Sequence, residues 1–349
     1  MNNDDTKKRM ICFDYLKVFA AFAVIMIHVS YQNWFSVEVN TFNWQVMNFF
    51  NGISRWGIMI FIMISGALFL NKDISIKKLY SKYILHLVIV FFVWSIFYAF
   101  LNFNTTGLFV ETFLYGYYHM WFILSLIGVY MCIPLIRLIV KDKKITEYYL
   151  IISFIFAFLI PTIFYIGKYF NVESLNSLGV MINRYGSEIK PSVVLGYTSF
   201  FVLGYYLNNI ELNKKQRNII YVLGIIGFIL TVLLNSSISI ISNVHQEVFF
   251  DNFSVNLLLE TIAIFTLFKY GNYKNKKLNN IVTKLSSYTL GVYLVHPFIL
   301  EQLDILFGLN SLTFNPVISI IIIAIIVMII SMLISAILHK IPYIRDYIV

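Results

Sequence analysis

The residues most able to do chemistry in this sequence are ionisable side chains within otherwise strongly apolar stretches. A charged group at the centre of a membrane helix costs about 2.5 to 3.5 kcal/mol on insertion scales, so each one is a functional candidate. Imidazole accepts protons near neutral pH, carboxylates orient or exchange protons, and guanidinium stabilises negative charge. The residues concerned are Asp14, Lys17, His28, Arg55, His86, His119, Glu260, His296, Glu301 and Asp304.

Apolar segments must position these residues, and most of the segments reach the roughly 17 to 25 residues of a membrane-spanning helix. Ten segments are visible, over 11–31, 46–70, 83–103, 120–140, 149–166, 192–207, 219–234, 252–268, 288–306 and 317–338. We therefore predict an all-α, polytopic integral membrane bundle of about ten transmembrane helices. It forms a single domain over 1–349, with a short N-terminal tail over 1–10.

Composition excludes several other classes of protein. Of the 349 residues, 59% are hydrophobic and only 12% are charged, whereas a soluble domain has about 25% charged residues. Cys12 and Cys132 both lie in apolar segments, so neither a disulfide framework nor a thiolate metal cluster is expected. No zinc-site spacing, P-loop or nucleophile elbow is evident. We expect no metal, no permanently bound cofactor and no nucleic-acid partner.

The positions of the basic residues that give the net charge of +9 indicate the orientation of the chain in the membrane. If the N-terminus is cytoplasmic, most of the 26 basic residues fall in gaps on one side, and the opposite gaps contain only Lys168, Arg184 and Lys190. By the positive-inside rule both termini are cytoplasmic, in a multi-pass protein of the plasma membrane. The segment after the tail is too long for a signal-peptide core, so the first helix is expected to be retained.

The ionisable candidates fall into two groups according to their estimated depth in the membrane. With a rise of about 1.5 Å per residue, Asp14 and Lys17 lie in the cytoplasmic third of the first helix and His28 about 25 Å across. Arg55 and Glu260 lie about 12 to 13 Å below the outer surface. A base, a cation and carboxylates therefore converge in the outer half of the membrane.

Four sequence blocks occur in a characteristic order along the chain. They are Phe13-Asp14-Tyr15-Leu16-Lys17 followed by His28-Val29, the segment from Arg55 to Ser65-Gly66, His119-Met120-Trp121-Phe122, and Tyr293-Leu294-Val295-His296-Pro297. Together they resemble membrane-bound acyltransferase family 3, the integral-membrane O-acyltransferases of bacterial surface glycans. Two positions depart from the family pattern, since Lys17 replaces its usual arginine and Met59 a frequent proline. Lysine keeps the charge but loses the bidentate grip on phosphate or carboxylate.

The resemblance implies transfer of an acyl group, usually acetyl from acetyl-CoA, to a hydroxyl of a cell-envelope polysaccharide or lipid-linked sugar. It implies that His28 takes the hydroxyl proton as a general base or carries the acyl group transiently, and both mechanisms remain open. Glu260 is expected to orient the His28 ring. Arg55 is expected to support the oxyanion, to bind the donor, or simply to neutralise a buried carboxylate such as Glu260.

The remaining candidates are expected to bind the substrate or the donor, and they are Asp14, Lys17, His119, Trp121 and His296. The CoA phosphates suit Lys17 and the inner basic loops, although Asp14 and Lys17, three apart on a helix, equally fit a plain ion pair. His119 and Trp121 also fit an interfacial aromatic belt. His296 also fits repair of the backbone groups that Pro297 frees.

Two other functions compete with an acyltransferase. A transporter or exporter of a glycan or glycolipid would use the buried charges for coupling, but no internal repeat or matching pair of broken helices supports it. A non-catalytic subunit that scaffolds a synthase would need none of these side chains for chemistry. The expected partners of the enzyme are acyl-CoA, a sugar acceptor and the lipid bilayer.

Overall fold

A computed structural model describes residues 10–106, 109–170, 172–175, 177, 179–181 and 196–349. Tail residues 1–9 and the loop residues Arg184, Glu188 and Lys190 lie outside this part. The described residues form helices and contain no strand, which confirms the all-α fold.

The helices of the described residues have the following bounds. In chain order they are α1 Ile11–Tyr31, α2 Phe42–Gly52, α3 Trp56–Phe69, α4 Ile76–Lys78, α5 Leu85–Thr106, α6 Phe109–Tyr115, α7 Trp121–Met131, α8 Ile133–Ile139, α9 Lys143–Ser153, α10 Ile160–Tyr169, α11 Thr198–Asn209, α12 Lys214–Ser242, α13 Val255–Lys269, α14 Lys276–Ser287, α15 Thr289–Phe307, α16 Pro316–Leu338 and α17 Pro342–Tyr347. Two π-helical turns, Leu79–Ile84 and Phe154–Leu159, join α4 to α5 and α9 to α10. A 3-10 turn, Val248–Phe250, precedes α13.

The long helices confirm a polytopic membrane protein. Eight helical stretches of the described residues are long and apolar enough to cross a membrane, and α7 with α8 makes a ninth, bent by 56°. The bend lies just before Pro134, which cannot continue the helical hydrogen bonds. The predicted sixth segment corresponds to the shorter α11, and the predicted beginning of that segment lies outside the described residues. The cytoplasmic position of both termini stays a prediction.

Helix α1 lies at the centre of the bundle, where it packs against α2, α3, α13, α14, α15 and α16. Small side chains allow this crowding. A Cβ atom added at Gly57 of α3 would lie 2.9 Å from the Cβ of Ala23 and 3.0 Å from the carbonyl oxygen of Ala20. Close backbone approach through small residues is the usual way that helices associate in a membrane, where lipid is as apolar as leucine.

Small residues also allow α11 to pack closely against α3. Gly66 of α3 lies against the backbone of Phe201, and Gly204 of α11 lies against the backbone of Met63. A Cβ atom at either glycine would overlap the opposite main chain, so the two helices meet backbone to backbone. This reciprocal contact holds the short α11 beside the long helices.

The predicted second helix, over 46–70, corresponds to one apolar span, Phe42–Phe69, which contains a short break. Ile53, Ser54 and Arg55 separate α2 from α3. In this break the amide of Arg55 donates to the carbonyl of Gly52 at 3.3 Å, three residues back, and the Trp56 indole donates to the carbonyl of Ile53 at 2.8 Å. Backbone groups in a membrane must find such partners. Arg55 therefore lies at a helix end, not in the middle of a helix.

Candidate active site

Three histidines that are far apart in the sequence form one cluster. His28 lies near the end of α1, His119 in the loop before α7, and His296 within α15. The ring centroid of His296 is 5.1 Å from that of His28 and 5.6 Å from that of His119. His119 and His296 are 2% and 0% exposed, whereas His28 is partly exposed.

The loop that presents His119 is fixed by α15. The hydroxyl of Tyr293 donates a hydrogen bond to the carbonyl of His119. Gly116 opens the loop with a φ of +77°, and a Cβ atom there would lie 2.8 Å from the Phe91 ring. Glycine adopts this left-handed backbone without steric cost. Both ring nitrogens of His119 are buried and have no hydrogen-bond partner among the described residues, so they can meet a bound substrate.

Arg55 lies beside this cluster, and three contacts hold its side chain. Its Nε donates to Asn51 at 2.6 Å, and its guanidinium lies 4.6 Å from the centroid of the Phe250 ring. A terminal nitrogen lies 3.6 Å from a carboxylate oxygen of Glu247, whose other oxygen accepts a 2.6 Å hydrogen bond from Tyr31. The carboxylate that pairs with Arg55 is thus Glu247, in the segment before α13, and not the expected Glu260.

A cavity of about 340 Å³ opens between these residues, and we call it the histidine chamber. It combines a basic side, an aromatic side and one carboxylate. Its lining residues are Val24, Ile27, His28, Arg55, Ile58, His119, Trp121, Phe122, Phe250, Asp251, Asn252 and Tyr293. His296 lies behind this wall, against the rings of His28 and His119.

A second cavity, of about 250 Å³, adjoins the chamber and is called here the apolar channel. Val24, Ile58, Phe122 and Tyr293 line both cavities, so the two lie side by side. The channel runs between α1, α3, α7 and α15. Its other lining residues are Lys17, Phe61, Ile64, Ser65, Leu68, Phe69, Leu126, Tyr130, Thr289 and Leu290.

A third cavity, of about 690 Å³, lies where α1 begins and α3 ends, and we call it the polar mouth. Lys17 and Leu68 line both the mouth and the apolar channel. Lys72 adds a second positive charge. Asp14 also lines the mouth, where its carboxylate accepts hydrogen bonds from Ser286 at 2.7 Å and Thr283 at 3.0 Å. Asp14 thereby ties α1 to α14.

The three cavities form a series along α1 from Lys17 to His28, a helical rise of about 16 Å. The series begins with basic and polar groups, continues between apolar walls, and ends at imidazole and guanidinium groups. This order suits a long ligand that has an anionic head group, a flexible arm and a reactive end.

The structure does not bring Glu260 to His28. Glu260 is fully buried between α12 and α13, where it accepts a hydrogen bond from Thr231. It does not line the histidine chamber. The expected role of Glu260 in orienting His28 therefore has no support from its contacts. The apolar segments placed Glu260 at a depth in the membrane similar to that of Arg55. Depth, however, does not specify which neighbouring helix a side chain faces.

The other ionisable candidates are spread over different places. Glu301 accepts a 2.5 Å hydrogen bond from Tyr117, and Asp304 accepts one from Asn310 at 2.8 Å. His86 lines a separate groove with Lys82 and Arg345. These contacts put none of the three in the histidine chamber.

Sequence reasoning overlooked Glu247, Lys72 and Tyr293. Glu247 and Lys72 were counted only as loop charges that report orientation, and Tyr293 only as part of a motif. No local pattern marks Glu247 or Lys72, because their importance comes from residues that are far away in the chain. The Tyr31–Glu247–Arg55 contact is an example.

Comparison with known protein families identifies the family of this chain. The sequence profile described as an acyltransferase domain matches residues 10–336. The chain belongs to acyltransferase family 3. This confirms the resemblance carried by the four blocks and makes the protein a membrane acyltransferase of that family. No curated protein and no solved structure matches the chain.

Proposed function

We propose that this family 3 acyltransferase moves an acyl group, most often acetyl, from acyl-CoA to a hydroxyl of a cell-envelope polysaccharide or lipid-linked sugar. The observation that supports this best is the row of adjoining cavities: polar mouth, apolar channel and histidine chamber. These cavities offer, in that order, basic side chains for an anionic group, apolar walls for a long thioester arm, and the histidines and Arg55 for the reaction.

The donor is expected to enter from the polar mouth. Lys17 and Lys72 line this cavity and provide point charges for the CoA phosphates. The acyl thioester arm would follow the apolar channel past Val24 and Ile58 to reach His28. An uncharged arm suits these walls, because a buried charge would need a partner there.

Transfer needs two side chains at the end of the channel, a base and a group that stabilises negative charge. As the acceptor oxygen attacks the thioester carbonyl, its proton passes to a His28 ring nitrogen, the new carbon–oxygen bond forms, and the carbon–sulfur bond breaks. The CoA thiolate leaves and takes up the proton from His28, which restores the neutral imidazole. Arg55, held by Glu247 and Asn51, stabilises the negative charge that develops on the carbonyl oxygen.

The acceptor sugar is expected to reach the histidine chamber from the side opposite the polar mouth. Trp121, Phe250 and Tyr293 line the chamber and offer faces for a sugar ring. This arrangement would pass an activated acyl group across the bilayer without releasing it, which fits a cytosolic donor and an outer acceptor. The orientation rests on the distribution of basic residues in the loops, and a reporter placed after His245 is expected to be extracytoplasmic.

The test is release of free CoA thiol by the purified protein in lipid nanodiscs, supplied with acetyl-CoA and an envelope glycan extract. His28→Ala is expected to lower the rate by about 10²- to 10⁴-fold, the usual contribution of a positioned base. His86→Ala is the matched control, since His86 lies in a different groove, and it is expected to keep wild-type turnover. A transporter or a scaffold subunit predicts no thiol release that depends on His28.

A second measurement separates the two roles of His28. Labelled acetyl-CoA without acceptor leaves label on the protein only if His28 carries the acyl group, and intact-mass analysis detects the addition. Mass analysis of envelope glycans from cells without this protein identifies the acceptor.

A further inference from the structure

The contacts of His296 fix which of its two nitrogens carries a proton. Its Nδ1 lies 2.8 Å from the carbonyl oxygen of Tyr293 and 3.2 Å from that of Val292. A carbonyl oxygen only accepts hydrogen bonds, so Nδ1 must be the donor. In neutral imidazole the other nitrogen, Nε2, is then an acceptor with a free lone pair.

Pro297 explains why the Tyr293 carbonyl is free for this bond. In a regular helix the amide at position 297 would donate to the carbonyl four residues earlier, which is that of Tyr293. Proline has no amide hydrogen, so it cannot occupy that carbonyl. The His296 ring takes the place of the missing donor. The proline and the histidine together therefore set one tautomer.

The Nε2 atom of His296 receives no hydrogen bond from any described residue. The residue is fully buried. A buried acceptor without a partner is costly, so such a group often signals a ligand or a catalytic role. The imidazole of His28 is the nearer of the two neighbouring histidine rings.

We propose that His296 is the positioning residue for His28. In the loaded site its Nε2 accepts the N–H of one His28 nitrogen, which leaves the lone pair of the other His28 nitrogen facing the acceptor hydroxyl. When His28 takes up the hydroxyl proton, His296 stabilises the resulting imidazolium. His296 thus fills the role that carboxylates fill in other histidine-based sites. The proposal rests on the proposed function, because it requires His28 to act on the substrate.

Two substitutions at position 296 separate positioning from backbone repair. His296→Asn keeps an amide that can donate to the Tyr293 carbonyl but has nothing at the place of Nε2. His296→Gln reaches the place of Nε2 with an acceptor oxygen but gives up the Nδ1 donor. We expect kcat to fall about 100-fold or more in His296→Asn and to be partly rescued in His296→Gln, with the KM for acetyl-CoA little changed. The opposite ranking would show that His296 only repairs the helix.

Pro297→Ala tests how the tautomer is set. The new amide competes with His296 for the Tyr293 carbonyl, so kcat is expected to fall about tenfold although the helix gains a hydrogen bond. Pro161→Ala, near the start of α10, is the control for loss of a proline and is expected to leave kcat unchanged. Wild-type kcat in Pro297→Ala would overturn the role of the proline.

Nitrogen-15 NMR of histidine-labelled protein in nanodiscs gives a readout that needs no activity. Protonated Nδ1 and unprotonated Nε2 have well-separated shifts, and His296→Gln assigns the signal. The expected result is the Nδ1–H tautomer for His296, and an Nε2–H tautomer would overturn the proposal. If the tautomer is as expected and the wild type shows no thiol release that depends on His28, the proposed function fails instead.

Discussion

Two clusters of polar side chains lie inside this bundle, and they differ in whether one of the cavities adjoins them. In the first, His28, Arg55 and His119 line the histidine chamber. In the second, which we call the α12–α13 polar cluster, the members bond to one another and line none of the three cavities that lead to His28. These members are Asn48, Thr231, Asn235, Asn256 and Glu260, all nearly or fully buried.

The hydrogen bonds of the second cluster explain its structural role. The Asn256 amide donates to Thr231 and to the carbonyl of Phe249, each at 2.8 Å. Asn235 donates to Asn48 at 3.0 Å, which connects α12 to α2. These bonds hold the segment before α13, and that segment supplies Glu247 and Phe250 to Arg55. The comparison teaches that burial of a polar side chain in a membrane protein does not by itself indicate a functional site. A polar side chain that also lines a cavity is the better candidate.

After His28→Ala, the largest predicted effect is at Arg55. Arg55→Ala is expected to lower kcat by about 10²- to 10³-fold, because it removes the group placed to stabilise the oxyanion. Arg55→Lys is expected to recover only part of this, since lysine lacks the planar fork. Steady-state thiol release measures both. A loss in Arg55→Ala no larger than that in Glu260→Gln would remove the distinction between the two clusters.

The second prediction concerns stability in the α12–α13 polar cluster. Thr231→Val leaves Glu260 and the Asn256 amide with one partner fewer, and it is expected to destabilise the protein by about 1 to 2 kcal/mol. Thermal unfolding in detergent measures the effect, and Thr231→Ser, which keeps the hydroxyl, is the control. The kcat of folded Thr231→Val is expected to stay near wild type. A large drop in kcat at unchanged stability would place this cluster in the reaction.

The third prediction concerns the polar mouth. Lys17→Ala and Lys72→Ala are each expected to raise the KM for acetyl-CoA about fivefold, corresponding to about 1 kcal/mol for a partly screened charge contact. Lys277→Ala, an exposed lysine that does not line the mouth, is the control. With a short acetyl thioester that lacks phosphates, the two mouth variants are expected to match wild type. An equal loss with both donors would contradict a phosphate site.

The smallest predicted effect is at Glu260. Glu260→Gln is nearly isosteric and still accepts a hydrogen bond from Thr231, so turnover is expected to stay within about twofold of wild type. Thiol release and thermal unfolding are measured together with His28→Ala. A loss of activity as large as that of His28→Ala would restore Glu260 as the partner of His28.

The sequence predicted the polytopic fold well, and the family blocks led to the same assignment as the sequence profile. Hydropathy located the long helices, including the second span, Phe42–Phe69, but it did not reveal the short break at Arg55 within that span. The break is set by local turns and by the indole of Trp56, which a hydropathy average does not register. Among the site residues, His28, His119 and Arg55 were found together in the chamber, whereas Glu260 was not.

What the sequence by itself determined is the class of protein and the short set of buried ionisable groups. The cost of placing a polar group in lipid belongs to each segment separately, so it is visible in the composition of that segment. Only the tertiary structure decided which of these groups meet. The pairing of Arg55 with Glu247, the contact of His296 with His28 and the alignment of the three cavities depend on how distant helices pack. Small-residue contacts such as Gly57 with Ala23 help to set that packing.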